Sequence, residues 1–411
     1  MNDPVIRACA EKYDSFYLYD EQTISRQAFR LQNDLPGVQF LYSMKANPHP
    51  AVLRTLFAQG FGADAASLNE VLLARDAGLR KEQIYYSAPA KTTNDLRRAL
   101  PHAILIADSM GELERLQEIA REENRIFSIG VRINPNFSFD GGPGLPTKFG
   151  IDEEALFFYL ERGRSFPNLK IDGLHVHLHS QELDAAVLTR YYKNLLLLCD
   201  RFAVAVKRPI AFLNMGSGIG IPYAPEEQEV DTAQLGQSLA AMLPDFRKRF
   251  PTTKILIETG RYVVGDAGIY VTKIIDRKTS RGKTYLLLKN TLNGFLRPAL
   301  SFAVEKAARG AIDMTEPFYT GKNTFQLYTF KNEPDTEHVT LVGNLCAATD
   351  QIAEDILLPR LVPGDLIAVN HAGAYAAILS PMQFSSQEKP VELFLKRDGT
   401  ILEPAQMQGL S

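Results

Sequence analysis

The chain has 411 residues, 45% hydrophobic and 23% charged, so it has the material for a large core and for one very large domain or two ordinary ones. A net charge of −3 gives no electrostatic case for nucleic acid or an anionic membrane. Three cysteines (Cys9, Cys199, Cys346) are too few and too scattered for a disulfide framework or a zinc site; no apolar stretch reaches spanning length, and a cytoplasmic location is the default.

From residue 38 onward, short apolar and often β-branched runs alternate with amphipathic stretches. Strands are expected at 38–45, 60–65, 83–88, 103–107, 127–134, 170–177, 209–215 and 254–258. Helix-like stretches between them cover 51–58, 67–77, 110–122, 153–162, 183–205 and 232–250. Ser67 with Asn69-Glu70 makes a helix start with early acidic charge. Eight β/α units over roughly 220 residues is the count and size of a (β/α)8 barrel, here bounded by residues 24–261. The pattern then changes. Strand-like runs at 268–275, 284–288, 326–329, 338–342, 366–369 and 391–396 are joined by turn-rich segments, with one helix-like piece at 351–355. Residues 262–411 therefore read as a β-sandwich or barrel-like domain, and residues 1–23, with a strand at 14–19, join it.

In such a barrel, chemistry is done at the C-terminal ends of the strands. Taken in order, those ends carry Lys45, Asp64, Ser87-Ala88-Pro89, Asp108, Arg132, His177 with Ser180, Gly216-Ser217-Gly218 and Glu258. An amine at a strand mouth can be desolvated, lose its proton and form an imine with an aldehyde. A lone lysine there is more often a plain surface residue; its neighbours at the mouth reverse those odds. The run from Asn214 to Gly220 brings backbone N–H groups close enough to cradle phosphate oxygens, although such runs are often only turns. Gly260-Arg261 can add a second N–H and a charge at the phosphate corner after the last strands. Glu258 is suited to a protonated ring nitrogen or to a neighbouring arginine. Alternation puts His175, His177 and His179 on one side of an extended chain, which invites zinc. The nearby carboxylates, Glu182 and Asp184, fall in the following loop, so an imidazole covering a flat cofactor ring is the better use of one histidine.

Together these residues resemble the fold-type III pyridoxal-phosphate decarboxylases, which join an alanine-racemase-like barrel to a C-terminal β domain and include diaminopimelate, ornithine and arginine decarboxylases. The resemblance covers nearly the whole chain. It runs through Tyr42-Ser43-Met44-Lys45-Ala46-Asn47, the segment from Phe61 to Glu70, Lys148-Phe149-Gly150 and His177-Leu178-His179-Ser180-Gln181. It continues in Gly216-Ser217-Gly218, Glu258-Thr259-Gly260-Arg261, Cys346 with Asp350, and Gly373-Ala374-Tyr375. It implies that Lys45 bonds pyridoxal 5'-phosphate, that His177 stacks on its ring and that Glu258 pairs with the ring nitrogen. Ser180, Gly216, Ser217, Gly218, Gly260, Arg261 and Tyr375 would surround the phosphate, and Asp64 and Arg132 complete the cofactor set. Cys346 would donate a proton after carbon dioxide leaves, reaching into the site of a second subunit of a homodimer. Read without the resemblance, a lone cysteine is more often a buried structural thiol. An acid opposite the ring nitrogen keeps it protonated and so favours decarboxylation over racemisation.

The pattern bends at several points. His179 stands where the family has a small residue, and Ser217 replaces a glycine. Leu292 to Ser301 resembles the diaminopimelate-type segment ending Arg-Pro-Ala-Leu-Tyr, keeping Arg297, which can grip a carboxylate, but ending in Ser301. The acidic residue that usually follows the catalytic cysteine is Ala347. Arg297, Ser301 and Asp350 are thus the expected substrate contacts. The run Cys346 to Asp350 looks closer to siderophore and secondary-metabolite branches, which decarboxylate amino acids already joined to citrate or a carrier protein. The expected substrate is an amino acid bearing a remote carboxylate, such as citryl-diaminopropionate. Diaminopimelate is the first alternative, a basic amino acid (ornithine, lysine or arginine) the second, and a non-catalytic regulatory homologue the alternative of another class.

Overall fold

Eight parallel strands close into a barrel in the computed structural model, which describes residues 3–161, 166–308, 316–321, 324–331 and 333–407. The strands are β1 (Gln39–Ser43), β2 (Gly62–Ala65), β3 (Ile84–Tyr86), β4 (Ile104–Ala107), β5 (Phe127–Asn134), β6 (Leu169–His175), β7 (Phe212–Asn214) and β8 (Lys254–Thr259). Each pairs in parallel with the next, and β8 pairs with β1 to shut the ring. All eight match expected strands, because each is a short apolar run bounded by turn or cap residues. The helices between them start where a polar side chain accepts an orphan N–H: Ser67 from Glu70, Ser109 from Glu112, Asp184 from Ala186 and Asp231 from Gln234. Arg162, the expected end of one helix, lies outside the described residues.

The barrel is a filled core, not a pore. Leu41, Tyr85, Ile106, Phe212 and Leu256 pack inside it. The Phe212 ring meets Tyr85 edge-on at 5.1 Å. It also occupies the space above Gly130 and Gly173, where an added Cβ would penetrate the ring. With all strands running one way, their C-terminal ends gather at one mouth.

This barrel belongs to one compact unit, Ser25–Gly220 with Glu229–Gly260. The other comprises Met1–Ile24, Ile221–Gln228 and Arg261–Leu410. Residues 221–228, inside the expected barrel range, thus group with the second unit. Its spine is the long strand Gly268–Ser280, antiparallel to Ser15–Asp20, Lys283–Leu288 and Leu366–Val369. Ser15–Asp20 pairs in parallel with Val391–Leu395, so the N-terminal segment does enter this sheet.

Two elements differ from expectation. The helix-like piece at 351–355 is part of a strand, Gln351–Pro359, antiparallel to Thr336–Val342. Its mixed sequence has no decisive period, and burial of Ala353 with Val339 and Leu341 decides its state. Conversely, Leu296–Ala307 is a helix. Pro298 sits in its first turn, where a missing N–H costs nothing. Among the described residues, no helix is long and apolar enough to cross a membrane.

Because Phe212 fills the place of a side chain at 173, Gly173→Ala should destabilise the barrel by about 1–3 kcal/mol in urea unfolding. Phe212→Leu in the same chain should recover part of that loss; additive losses would contradict the packing account.

Candidate active site

Lys45 lies in the single turn Met44–Ala46 that directly follows β1. Its Nζ is 3.6 Å from Asp64 Oδ2. Asp64, on β2, is buried and accepts hydrogen bonds from Ser43 Oγ (2.9 Å) and Ser87 Oγ (2.8 Å). Burial and the charge of Glu258 push its carboxyl up, against the opposing pull of Lys45. The lysine side chain is 43% exposed, so the amine stands at an open rim beside a carboxylate and not in the desolvated setting expected.

Glu258, near the end of β8, is 2% exposed. Its Oε1 accepts from Asn214 Nδ2 at 2.9 Å and lies 3.0 Å from His175 Nε2. Burial pushes this carboxyl up, but the positive potential of its neighbours, His175 first, outweighs it and holds it below the usual carboxylate range. His177 Nδ1 is 3.6 Å from Glu258 Oε2, yet the two are not an ion pair. The imidazole is neutral, its pKa lowered chiefly by burial to about 3, and its Nδ1 accepts the Ser217 N–H at 3.2 Å. Arg132 Nη2 donates to the His177 carbonyl at 3.0 Å. Arg132 in turn lies 3.7 Å from Asp108 and stacks on Phe149 at 4.5 Å, while Asp108 accepts the Gly150 N–H at 3.1 Å. The Lys148-Phe149-Gly150 motif therefore braces the arginine that braces the histidine.

The three alternating histidines do not share a face. β6 ends at His175, so period-two alternation stops there. His175 points at Glu258, whereas His179 packs on Phe139 (4.9 Å), which packs on Tyr191 (4.6 Å). Among the described residues, no three His, Cys, Asp or Glu side chains converge as a metal site.

The glycine-rich loop also differs from expectation. The Gly216 N–H is taken by Asn214 Oδ1 (3.0 Å) and the Ser217 N–H by His177. These two donors serve the site's own side chains and not an anion, leaving Gly218 as the loop's candidate donor. Gly216 has φ +63°, and a Cβ there would lie 2.9 Å from the His177 Cα. Gly260 is equally constrained, since its Cβ would lie 2.9 Å from that of Ala46, next to Lys45. Ser180 sits in the loop after β6, beside Gln181 at φ +66°. An amine, a half-open imidazole face, an ionised carboxylate and a glycine cradle at one mouth fit a planar, phosphorylated pyridine aldehyde.

In the other unit, Arg261 stacks over Tyr375 at 5.0 Å. Arg297 is fully buried on the helix Leu296–Ala307, and Ser301, one turn on, is 6% exposed with an Oγ that has no partner among the described residues. Cys346 is an exposed free thiol. Asp350, expected at the substrate, is 3% exposed and accepts from Leu345 N (2.9 Å), Leu292 N (3.1 Å) and Thr291 Oγ1. That geometry ties the Cys346 loop to the 290s segment and leaves no oxygen of Asp350 idle. Tyr223, Glu316 and Thr320, which surround the two arginines, carried no sequence signal.

The family model for Pyridoxal-dependent decarboxylase, pyridoxal binding domain, matches residues 21–265. This chain belongs to that family. It is 31% identical over 408 residues to the L-glutamyl-[BtrI acyl-carrier protein] decarboxylase of Niallia circulans, covering 96% of this chain and 92% of the relative. It is 26% identical to the 2-[(L-alanin-3-ylcarbamoyl)methyl]-2-hydroxybutanedioate decarboxylase of Staphylococcus aureus, covering 92% and 93%. The crystal structure of diaminopimelate decarboxylase from Helicobacter pylori with L-lysine superposes with a TM-score of 0.80 at 25% identity, covering 97% of this chain and 95% of that one. The protein is a pyridoxal-phosphate-dependent carboxy-lyase, as its decarboxylase relatives are.

A neutral His177 has a pH consequence for the decarboxylase. In the unfolded chain its pKa is about 6.5; in the fold it is about 3. The unfolded state therefore binds the extra proton, and stability is lost as pH falls below the unfolded value. His177→Asn removes this penalty. Its stability gap to wild type should shrink by about 2 kcal/mol between ~pH 8 and ~pH 5. A gap independent of pH, in parallel denaturant titrations, would contradict a neutral imidazole.

Proposed function

We propose that the enzyme removes the α-carboxylate of an amino acid whose remote end is conjugated and carries a carboxylate, of the citryl-diaminopropionate type. The observation that carries this reading is the buried Arg297 with Ser301 and Ala347 beside the positions that read free diaminopimelate in the resembling family. Arg297 suits a carboxylate and disfavours the cationic tail of ornithine or lysine. Ser301 and Ala347 remove the tyrosine and the acid that would read a distal amino-acid end. The names of two relatives support it, since both are decarboxylases of conjugated amino acids, a glutamyl group on a carrier protein and an alaninyl amide of a hydroxybutanedioate. Diaminopimelate is the second reading, favoured by the likeness to its decarboxylases over most of the chain.

When bound, pyridoxal phosphate supplies an electron sink for the pair left behind by carbon dioxide. The chain's residues do the rest. Lys45 would hold the coenzyme covalently through its amine. Glu258, ionised and anchored by Asn214, would accept a ring N–H and keep that proton in place. His177 would offer a neutral imidazole face to the ring and exclude water there. By the family resemblance, Gly218, Gly260, Arg261, Ser180 and Tyr375 would surround the phosphate. Cys346 returns a proton to the α-carbon, delivered from the second subunit of a homodimer.

A screen of carbon dioxide release from citryl-conjugated amino acids, diaminopimelate and basic amino acids tests the reading. The conjugates should turn over fastest, and Arg297→Ala should slow them ~100-fold. Faster release from ornithine or lysine, or full activity in that variant, would overturn it. Borohydride reduction should fix the coenzyme to Lys45 and nowhere else, as read by peptide mass; colourless protein that stays inert with added coenzyme would favour a non-catalytic homologue.

A further inference from the structure

Five side chains of the second unit form a closed ring. Arg261 Nη1 donates to Tyr223 Oη at 2.7 Å, and Arg261 Nη2 pairs with Glu316. Glu316 accepts from Thr320 Oγ1, which accepts from Arg297 Nη2 at 2.6 Å. Arg297 Nη1 closes the ring on Tyr223 Oη at 3.2 Å. Four of the five are buried, Arg297 at 0% exposure, Tyr223 at 1%, Arg261 at 5% and Thr320 at 6%, and the Glu316 side chain is 12% exposed.

Two observations about this ring favour an ionised phenol. First, the two guanidiniums have one ion-pair partner, Glu316, among the described residues, so one buried positive charge lacks a counter-ion among them, which is costly. Arginine does not resolve this by losing its proton. Second, the Tyr223 oxygen receives N–H donors from both arginines and donates to no acceptor among the described residues. A neutral phenol would leave its own O–H without an acceptor among the described residues, whereas a phenolate uses both donors.

We propose that Tyr223 rests as a phenolate, the second counter-ion of the Arg261–Arg297 pair, and takes up a proton when an anionic oxygen group of a ligand joins that pair. The inference rests on the reading of Arg297 as the grip for a substrate carboxylate and adds that this grip exchanges an anion for a proton. With Tyr223 ionised, two positive and two negative charges balance. After exchange, the ligand supplies the second negative charge, a proton from solvent sits on Tyr223 Oη, and the balance is unchanged. Burial alone pushes this phenol up, but Arg261 and Arg297, by charge and hydrogen bond, outweigh it and bring Tyr223 below the usual phenol range.

Of the remaining groups around Tyr223, none of the described residues forms an ion pair with either arginine. Glu227, on its own segment, is engaged by the Tyr223 and Ala224 N–H groups at 2.7 and 3.1 Å. His371 lies edge-on at 4.9 Å and is held by Asp266 at 2.6 Å. Phe325 is apolar, and Tyr375 lies under Arg261. Hydrogen-bonding capacity for the incoming group is offered by two donors without partners among the described residues, Arg297 Nε and Ser301 Oγ, one helical turn apart and so on one face.

The test compares wild-type enzyme with Tyr223→Phe, a variant that keeps the ring packing. Ultraviolet difference spectra at neutral pH should show roughly one tyrosinate per chain in wild type that the variant lacks, distinct from exposed tyrosines, which ionise near pH ~10. Glutarate added to the holoenzyme should abolish that signal. Calorimetry in two buffers of different ionisation enthalpy should then find uptake of roughly one proton, absent in the variant. If the signal is present in apoprotein and lost on adding the coenzyme, before glutarate, the exchanging anion is the phosphate; if it persists until glutarate, it is the carboxylate. Identical spectra for the two proteins, failure of both glutarate and coenzyme to change the signal, or equal proton uptake in the variant would each overturn the proposal. Carbon dioxide release by the same preparations judges the substrate reading separately, because the tyrosinate signal needs no turnover.

Discussion

The carboxylate of Glu258 must stay ionised in a place where burial disfavours charge. Everything at the barrel mouth follows from that requirement. A carboxylate 2% exposed is tolerable only if its oxygens meet donors and positive potential. Asn214 donates, His175 lies against the same oxygen, and Lys45 adds its field. These groups come from the ends of β7, β6 and β1, and none is near Glu258 in sequence. Only the closure of β8 onto β1 brings the lysine turn into range. The lysine turn and the ionised acid thus meet through one topological act.

The second unit solves the mirror-image problem. There the buried charges are two guanidiniums, with a glutamate, a threonine and a tyrosine to hold them. The barrel network arranges cations around an anion; the ring arranges acceptors around cations. Both are closed systems in which removing one member strands another in a place without water, so substitutions within either should couple and not add.

Much of this was legible from the chain. Eight apolar runs of barrel length, each ending in a polar or glycine residue, carry the strand count and the position of the mouth. Lys45, His177 and Glu258 stand out in the chain because each is a chemical group that a strand end does not need for packing. What could not be read was pairing at a distance. Nothing near Asn214 announces that it serves Glu258, 44 positions on. Alternation suggested one face for three histidines, but it holds only while a strand lasts, and β6 stops at the first of them. Gly216-Ser217-Gly218 suggested an anion cradle, yet two of the three positions turn their N–H groups inward. The strand at Gln351–Pro359 and the helix at Leu296–Ala307 escaped for the same reason: partners elsewhere decide them, not local period.

Asp350 sets the shape of the loop that carries Cys346 by gripping two backbone N–H groups and a threonine hydroxyl. None of those bonds involves the side chain at position 347. The thiol's scaffold and the side chain at 347 are therefore mechanically independent, so an acid and an alanine can be exchanged there without rebuilding the loop that presents the exposed thiol.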